Sequence, residues 1–140
     1  MLPRYHTYIG APISLLLWFL FDFPSGVILI FFISSILIDL DHYTFYLWKK
    51  KDLNFYNAYA WFENPNNGAQ HYLFLHGIEP LILLWILSKH APIFRSMFLG
   101  FLFHHIVDYA YSIYKKRIPT NKISQVWFLI KKNKEKEKFL

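Results

Sequence analysis

The sequence predicts an all-α integral membrane bundle of about four helices, with an interfacial aromatic helix and a basic C-terminal tail. Three observations carry that prediction. Hydrophobic residues make up 55% of the 140 residues and aromatics 21%, above the apolar share of about 45–50%, glycine included, of ordinary soluble domains. They are gathered into blocks separated by turn residues and by lysine and arginine. Acids and histidines stand inside or at the ends of those blocks, where an unsolvated charge costs several kcal/mol unless it is paired or metal-bound.

The first block covers about residues 8–23 and is closed by Pro24-Ser25-Gly26, a turn signal. The second, 27–38, follows at once and leads into Asp39-Leu40-Asp41-His42. Both are short for a span of roughly 20 residues, so a hairpin made of them must tilt or thin the bilayer. Residues 43–70 mix lysine with tryptophan and tyrosine, the composition of the headgroup level, and an interfacial helix is expected near 53–62. Asn64-Pro65-Asn66-Asn67-Gly68 ends it. The third block, 71–87, and the fourth, 93–114, are long enough to cross. Residues 1–118 thus form the bundle, and 119–140 a basic interfacial or cytoplasmic tail.

No cleavage site for a signal peptide follows the first block, so that segment is expected to be retained. Cysteine is absent, which excludes disulfides and thiolate metal sites. The net charge is +6, yet the basic residues form no continuous patch of the kind that reads nucleic acid, and no nucleic-acid partner is expected. Thirteen Lys and Arg fall on the side of the termini and the aromatic loop, and only Lys89 and Arg95 on the other. The positive-inside rule then places a multi-pass protein in the inner (cytoplasmic) membrane with both termini cytoplasmic. A homodimer is compatible with so small a bundle.

In an antiparallel arrangement His6 opens helix 1, Asp39, Asp41 and His42 close helix 2, and His71 opens helix 3, all at one end. His76 lies one to two turns deeper, with Glu79 at i+3 on its face, and His104 and Asp108 share a face of helix 4 at i,i+4. The eight ligand candidates are therefore His6, Asp39, Asp41, His42, His71, His76, His104 and Asp108, with Glu79 and Asp41 as candidates for proton transfer. His105 faces away from this set, and His90 lies in the far turn. Eight exceed the four ligands of one tetrahedral zinc, so one or two ions are expected, with Zn first and Mn or Fe as alternatives.

At these residues the chain resembles a family of inner-membrane-bound, metal-dependent hydrolases, some described as LexA-binding and similar to zinc-dependent phospholipase C. The family pattern is an early His, then Leu-Pro-Asp-x-Asp-His, then His-Arg-Gly-x-Thr-His-Ser, and lastly Gly-x-Leu-x-His-x-x-x-Asp. This sequence offers His6, then Leu37-Ile38-Asp39-Leu40-Asp41-His42, then His71 and His76, then Gly100-Phe101-Leu102-Phe103-His104 with Asp108. Ile38 replaces the proline, Tyr72-Leu73 replaces Arg-Gly, and Leu75 and Gly77 flank the second His instead of Thr and Ser. The resemblance implies hydrolysis of a phosphoester, or another ester, of a lipid or lipid-linked substrate at the cytoplasmic interface. Two other classes fit the residues: a haem-binding electron-transfer protein with His76 and His104 as axial ligands, and a non-catalytic membrane scaffold.

Overall fold

Among the described residues proline or asparagine starts four of the six α-helices, and left-handed residues stop two of them. The computed structural model describes residues 3–64 and 73–115. It contains α1 (Pro3–Phe21), α2 (Ser25–Leu37), α3 (Leu40–Lys50), α4 (Phe55–Glu63), a short 3-10 turn (Phe74–His76), α5 (Ile78–Leu87) and α6 (Pro92–Tyr114), with no strand among the described residues. The all-α expectation holds. His71 and the tail 119–140 lie outside the described residues.

Pro3 and Pro92 each stand at the first helical position of their helix, where the missing N–H is not needed. α1 ends at Asp22, which takes φ 51° and returns its N–H to the Trp18 carbonyl at 3.1 Å. Pro24 then precedes α2 and accepts from the N–H groups of Val27 and Ile28. Helix 2, expected to close at Asp39, Asp41 and His42, is instead followed almost at once by another helix. The backbone tightens across Ile38 and Asp39, with Asp39 N–H bonded to Ile36 O and Asp41 N–H to Ile38 O, and the helix resumes as α3. No glycine or proline occurs between 39 and 50, so nothing in that stretch breaks it. Lys51, at φ 57°, stops it.

A helix forms where one was expected near 53–62, as α4. Its N-cap Asn54 accepts from the N–H groups of Tyr56 and Asn57, the standard side-chain cap. Asp52 ties α4 to α3: Oδ2 accepts from the Tyr46 hydroxyl at 2.7 Å and from Asn57 Nδ2 at 2.9 Å, and Oδ1 from the Asn54 N–H. The Tyr46 hydrogen bond, with the two others, holds the Asp52 carboxyl below its ordinary range. A depressed carboxyl stabilises the fold above its unfolded pKa of about 3.9 and loses that contribution as the pH falls through its lower, folded value. Acid titration followed by tryptophan fluorescence should show the α3–α4 hairpin loosening only below about pH 4, and Asp52→Asn should flatten that acid transition.

The third helix is shorter than its apolar block. Gly77 is extended (φ −82°, ψ 167°) and separates the 3-10 turn from α5, and Pro80 fits only the first turn of the helix that follows. His76 and Glu79 are therefore not three apart on one helical face, which corrects that expectation. α2 is the central element, packed on α6 and on α1, and α5 packs on α6, with Leu84 of α5 and Phe101 of α6 in one buried cluster with Ile38. Ser34, Ser35 and Ser96 are buried along these contacts, and Gly100 lets α6 approach the α2 backbone closely.

The molecule is polar inside and apolar outside. Among the described residues ten polar or charged side chains are buried, against seven hydrophobic ones. Phe19 is 84% exposed, and Leu15, Leu29, Leu83 and Ile106 are each more than half exposed. Among the described residues one stretch, Ser25–Lys50, is long and apolar enough to cross a membrane by length and composition, and α5 is apolar but shorter.

Candidate metal centre

Five elements deliver side chains to one buried point. His6 comes from the first turns of α1, Asp39 from the tightened joint between α2 and α3, Asp41 and His42 from the start of α3, His76 from the 3-10 turn, and His104 and Asp108 from adjacent turns of α6. His6, Asp39, Asp41, His76, His104 and Asp108 are all buried, and His42 is half-buried. Three overlapping groups hold donor atoms close enough to share an ion: His6, Asp39 and His104; Asp39, His42 and His76; and His76, His104 and Asp108.

The hydrogen bonds fix which nitrogens face the centre. His104 Nδ1 lies 2.8 Å from the Ser35 carbonyl oxygen. That oxygen only accepts, so Nδ1 carries the proton and Nε2 is left with a lone pair. His76 Nδ1 lies 3.1 Å from Asp41 Oδ2, which also accepts the Leu75 N–H at 2.9 Å, so an ionised Asp41 likewise leaves the His76 lone pair on Nε2. The two Nε2 atoms stand 3.2 Å apart. Two lone pairs turned on each other at that distance repel unless a cation lies between them.

The carboxylates continue the pattern. Both oxygens of Asp39 are buried without a hydrogen bond. Oδ1 is 3.6 Å from His76 Nε2 and 3.9 Å from His104 Nε2, and Oδ2 is 3.9 Å from His6 Nε2. Asp108 Oδ2 is 3.8 Å from His76 Nε2 and 4.0 Å from His104 Nε2, and its Oδ1 is 3.2 Å from His6 Nε2. Ligands on a tetrahedral ion with bonds of about 2.1 Å stand about 3.4 Å apart. The donor separations bracket that value, and only His6 Nε2 and Asp108 Oδ1, at 3.2 Å, form a hydrogen bond within these pairs, so the Asp39 oxygens and the His76 and His104 Nε2 atoms suit a metal ion better than a self-contained hydrogen-bond network.

Asp41 stands one step out, belonging to none of the three groups and orienting His76 through Nδ1. Removing such a partner lowers metal affinity about 10–100-fold. Asp41→Asn should therefore retain its metal with affinity reduced by about that factor, read by competition against a chromogenic chelator. Glu79 opens α5, half-buried and outside the three groups. His105 bonds the Phe101 carbonyl of its own helix at 2.8 Å, and His90 lies in the turn after α5.

Sequence reasoning did not find the Ser35 carbonyl or the Leu75 N–H, because backbone groups leave no mark on residue identity. It also missed what α4 does: Phe62 sets its ring edge-on against His42 at 4.9 Å, and Glu63 pairs with Arg4 at 3.1 Å. The aromatic helix thus covers one side of the centre. No family model, no curated protein and no solved structure matches the chain.

Proposed function

We propose that this chain is a metal-dependent hydrolase acting on a phosphoester, or another ester, of a lipid or lipid-linked molecule at the cytoplasmic face of the membrane. The observation that carries the reading is the convergence of the His76 and His104 Nε2 lone pairs on the two Asp39 oxygens, buried without a hydrogen bond, at one end of a helical bundle whose exterior is apolar. His6, Asp39, His76, His104 and Asp108 would hold the ion, with His42 beside them. An N/O donor set without thiolate fits zinc, manganese or iron. A divalent ion held there would supply Lewis-acid polarisation of an ester oxygen and a bound water of lowered pKa.

The chain's own residues supply the rest. Ser35 and Asp41 hold two imidazoles in the tautomer that presents Nε2, and α4 shields the site beside His42. The outward Leu and Phe side chains of α1, α2, α5 and α6 support contact with lipid hydrocarbon, in a multi-pass arrangement with the basic termini cytoplasmic. His76 and His104, with Nε2 atoms 3.2 Å apart, leave no gap for a porphyrin, so an ion is favoured over haem.

The test is hydrolysis of phospholipid in mixed micelles by the zinc-loaded, detergent-purified chain. Release of headgroup phosphate or fatty acid by the wild type, absent from His104→Ala, is expected. Equal release by both proteins overturns the proposal.

A further inference from the structure

Asp39 and Asp108 do not direct both oxygens to the same neighbour. In each, one oxygen faces His6 and the other faces His76 and His104: Asp39 Oδ2 and Asp108 Oδ1 lie 3.9 and 3.2 Å from His6 Nε2, while Asp39 Oδ1 and Asp108 Oδ2 lie 3.6 and 3.8 Å from His76 Nε2. A single ion has no use for that division. We infer, resting on the metal reading above, that the centre holds two divalent cations side by side, with Asp39 and Asp108 each lending one oxygen to each ion.

His76 and His104 complete one position, which then has four protein donors, with His42 Nδ1 beside it at 3.5 Å from Asp39 Oδ1. His6 completes the other, which has three and so keeps room for a substrate oxygen, the arrangement that separates catalytic from structural sites. The His6 and His104 rings stack, centroids 3.8 Å apart and planes 16° from parallel, so the imidazoles assigned to the two positions lie side by side at about the 3.5–4 Å spacing of paired catalytic ions.

Charge argues the same way. Asp39, Asp41 and Asp108 bring three negative charges into a buried site, and uncompensated buried charge is expensive. One divalent ion leaves the cluster negative, which repels an anionic ester. Two leave it positive, which attracts one. The substrate class that follows is a phosphate ester carrying its own negative charge, not a neutral carboxylic ester.

The experiment counts ions without measuring catalysis. The full chain, purified in detergent and dialysed against Zn(II), is analysed for zinc per chain beside His6→Ala and His6→Gln, with circular dichroism confirming helix content. Two ions in the wild type and one in either folded variant support the inference. One ion in the wild type that persists in the His6 variants overturns it, and none in the wild type overturns the metal reading as well.

Loading with Mn(II) gives a second readout. An exchange-coupled electron paramagnetic resonance signal is expected in the wild type, replaced by an isolated-ion signal in His6→Gln. An isolated-ion signal in both overturns the inference. Two ions in a protein that hydrolyses no phospholipid leave the ion count standing and remove only the proposed substrate.

Discussion

His104→Ala is expected to lose its metal while its helices stay folded. The side chain is fully buried, its Nδ1 anchored on the Ser35 carbonyl and its Nε2 3.2 Å from His76. Truncation removes a donor outright, so affinity should fall by more than the about 10–100-fold that follows loss of an outer partner. It also leaves a Ser35 acceptor unbonded, a cost of about 1–3 kcal/mol. Burial of the other helix contacts is unchanged, so helical content should persist. His105→Ala is the matched control, because that ring bonds the carbonyl one turn back on its own helix and belongs to none of the three ligand groups, although it lies beside the His76 ring at 6.3 Å. Chelator competition should separate the two neighbours, and equal affinities would contradict the site.

Gly100→Val is expected to destabilise the bundle and weaken the metal centre together. A Cβ at Gly100 would stand 2.5 Å from the Phe31 carbonyl oxygen, 3.1 Å from the Ser35 N–H nitrogen and against Ser34 Oγ. Ser34 can rotate, but the α2 backbone cannot give way without moving the helix. Replacing a helical glycine with alanine gains about 1 kcal/mol in propensity, while overpacking costs typically 1–3 kcal/mol. Backbone contacts this close decide for the second term, and valine adds branched bulk to it. Pushing α6 from α2 also lengthens the His104 hydrogen bond to Ser35, one turn along. A lower melting temperature in detergent and reduced metal affinity should therefore appear together. Gly10→Ala, whose nearest neighbour would be Ser35 Oγ at 3.5 Å, should show neither.

How much of this was legible depended on what a residue's identity reveals. The i,i+4 pair His104 and Asp108 could be placed on one face because α6 is a continuous helix, and spacing alone sets that geometry. The common end shared by His6, Asp39 and His104 followed from antiparallel packing of apolar blocks. The α2–α3 joint was not legible: Asp39-Leu40-Asp41 reads as a stop, yet the backbone only tightens there and continues. The 3-10 turn at His76 was missed for the opposite reason, because an unbroken apolar block hid the extended Gly77. Asp41 looked like a ligand by type, and only the Leu75 N–H and His76 Nδ1 around it reveal an orienting role. About four crossings were expected, and among the described residues one stretch, Ser25–Lys50, meets the length and apolarity of a span. The exposed Leu and Phe side chains of the other helices show why composition suggested more.

The most direct test of the central claim is the metal content of the detergent-purified wild-type chain, measured by elemental analysis beside Asp108→Ala. Zinc, manganese or iron at one or more ions per chain in the wild type, and its loss in the variant, is the result the account predicts. A wild-type chain that carries no ion even after resupply would contradict it, and would leave the buried His and Asp groups as a hydrogen-bond network in a scaffold.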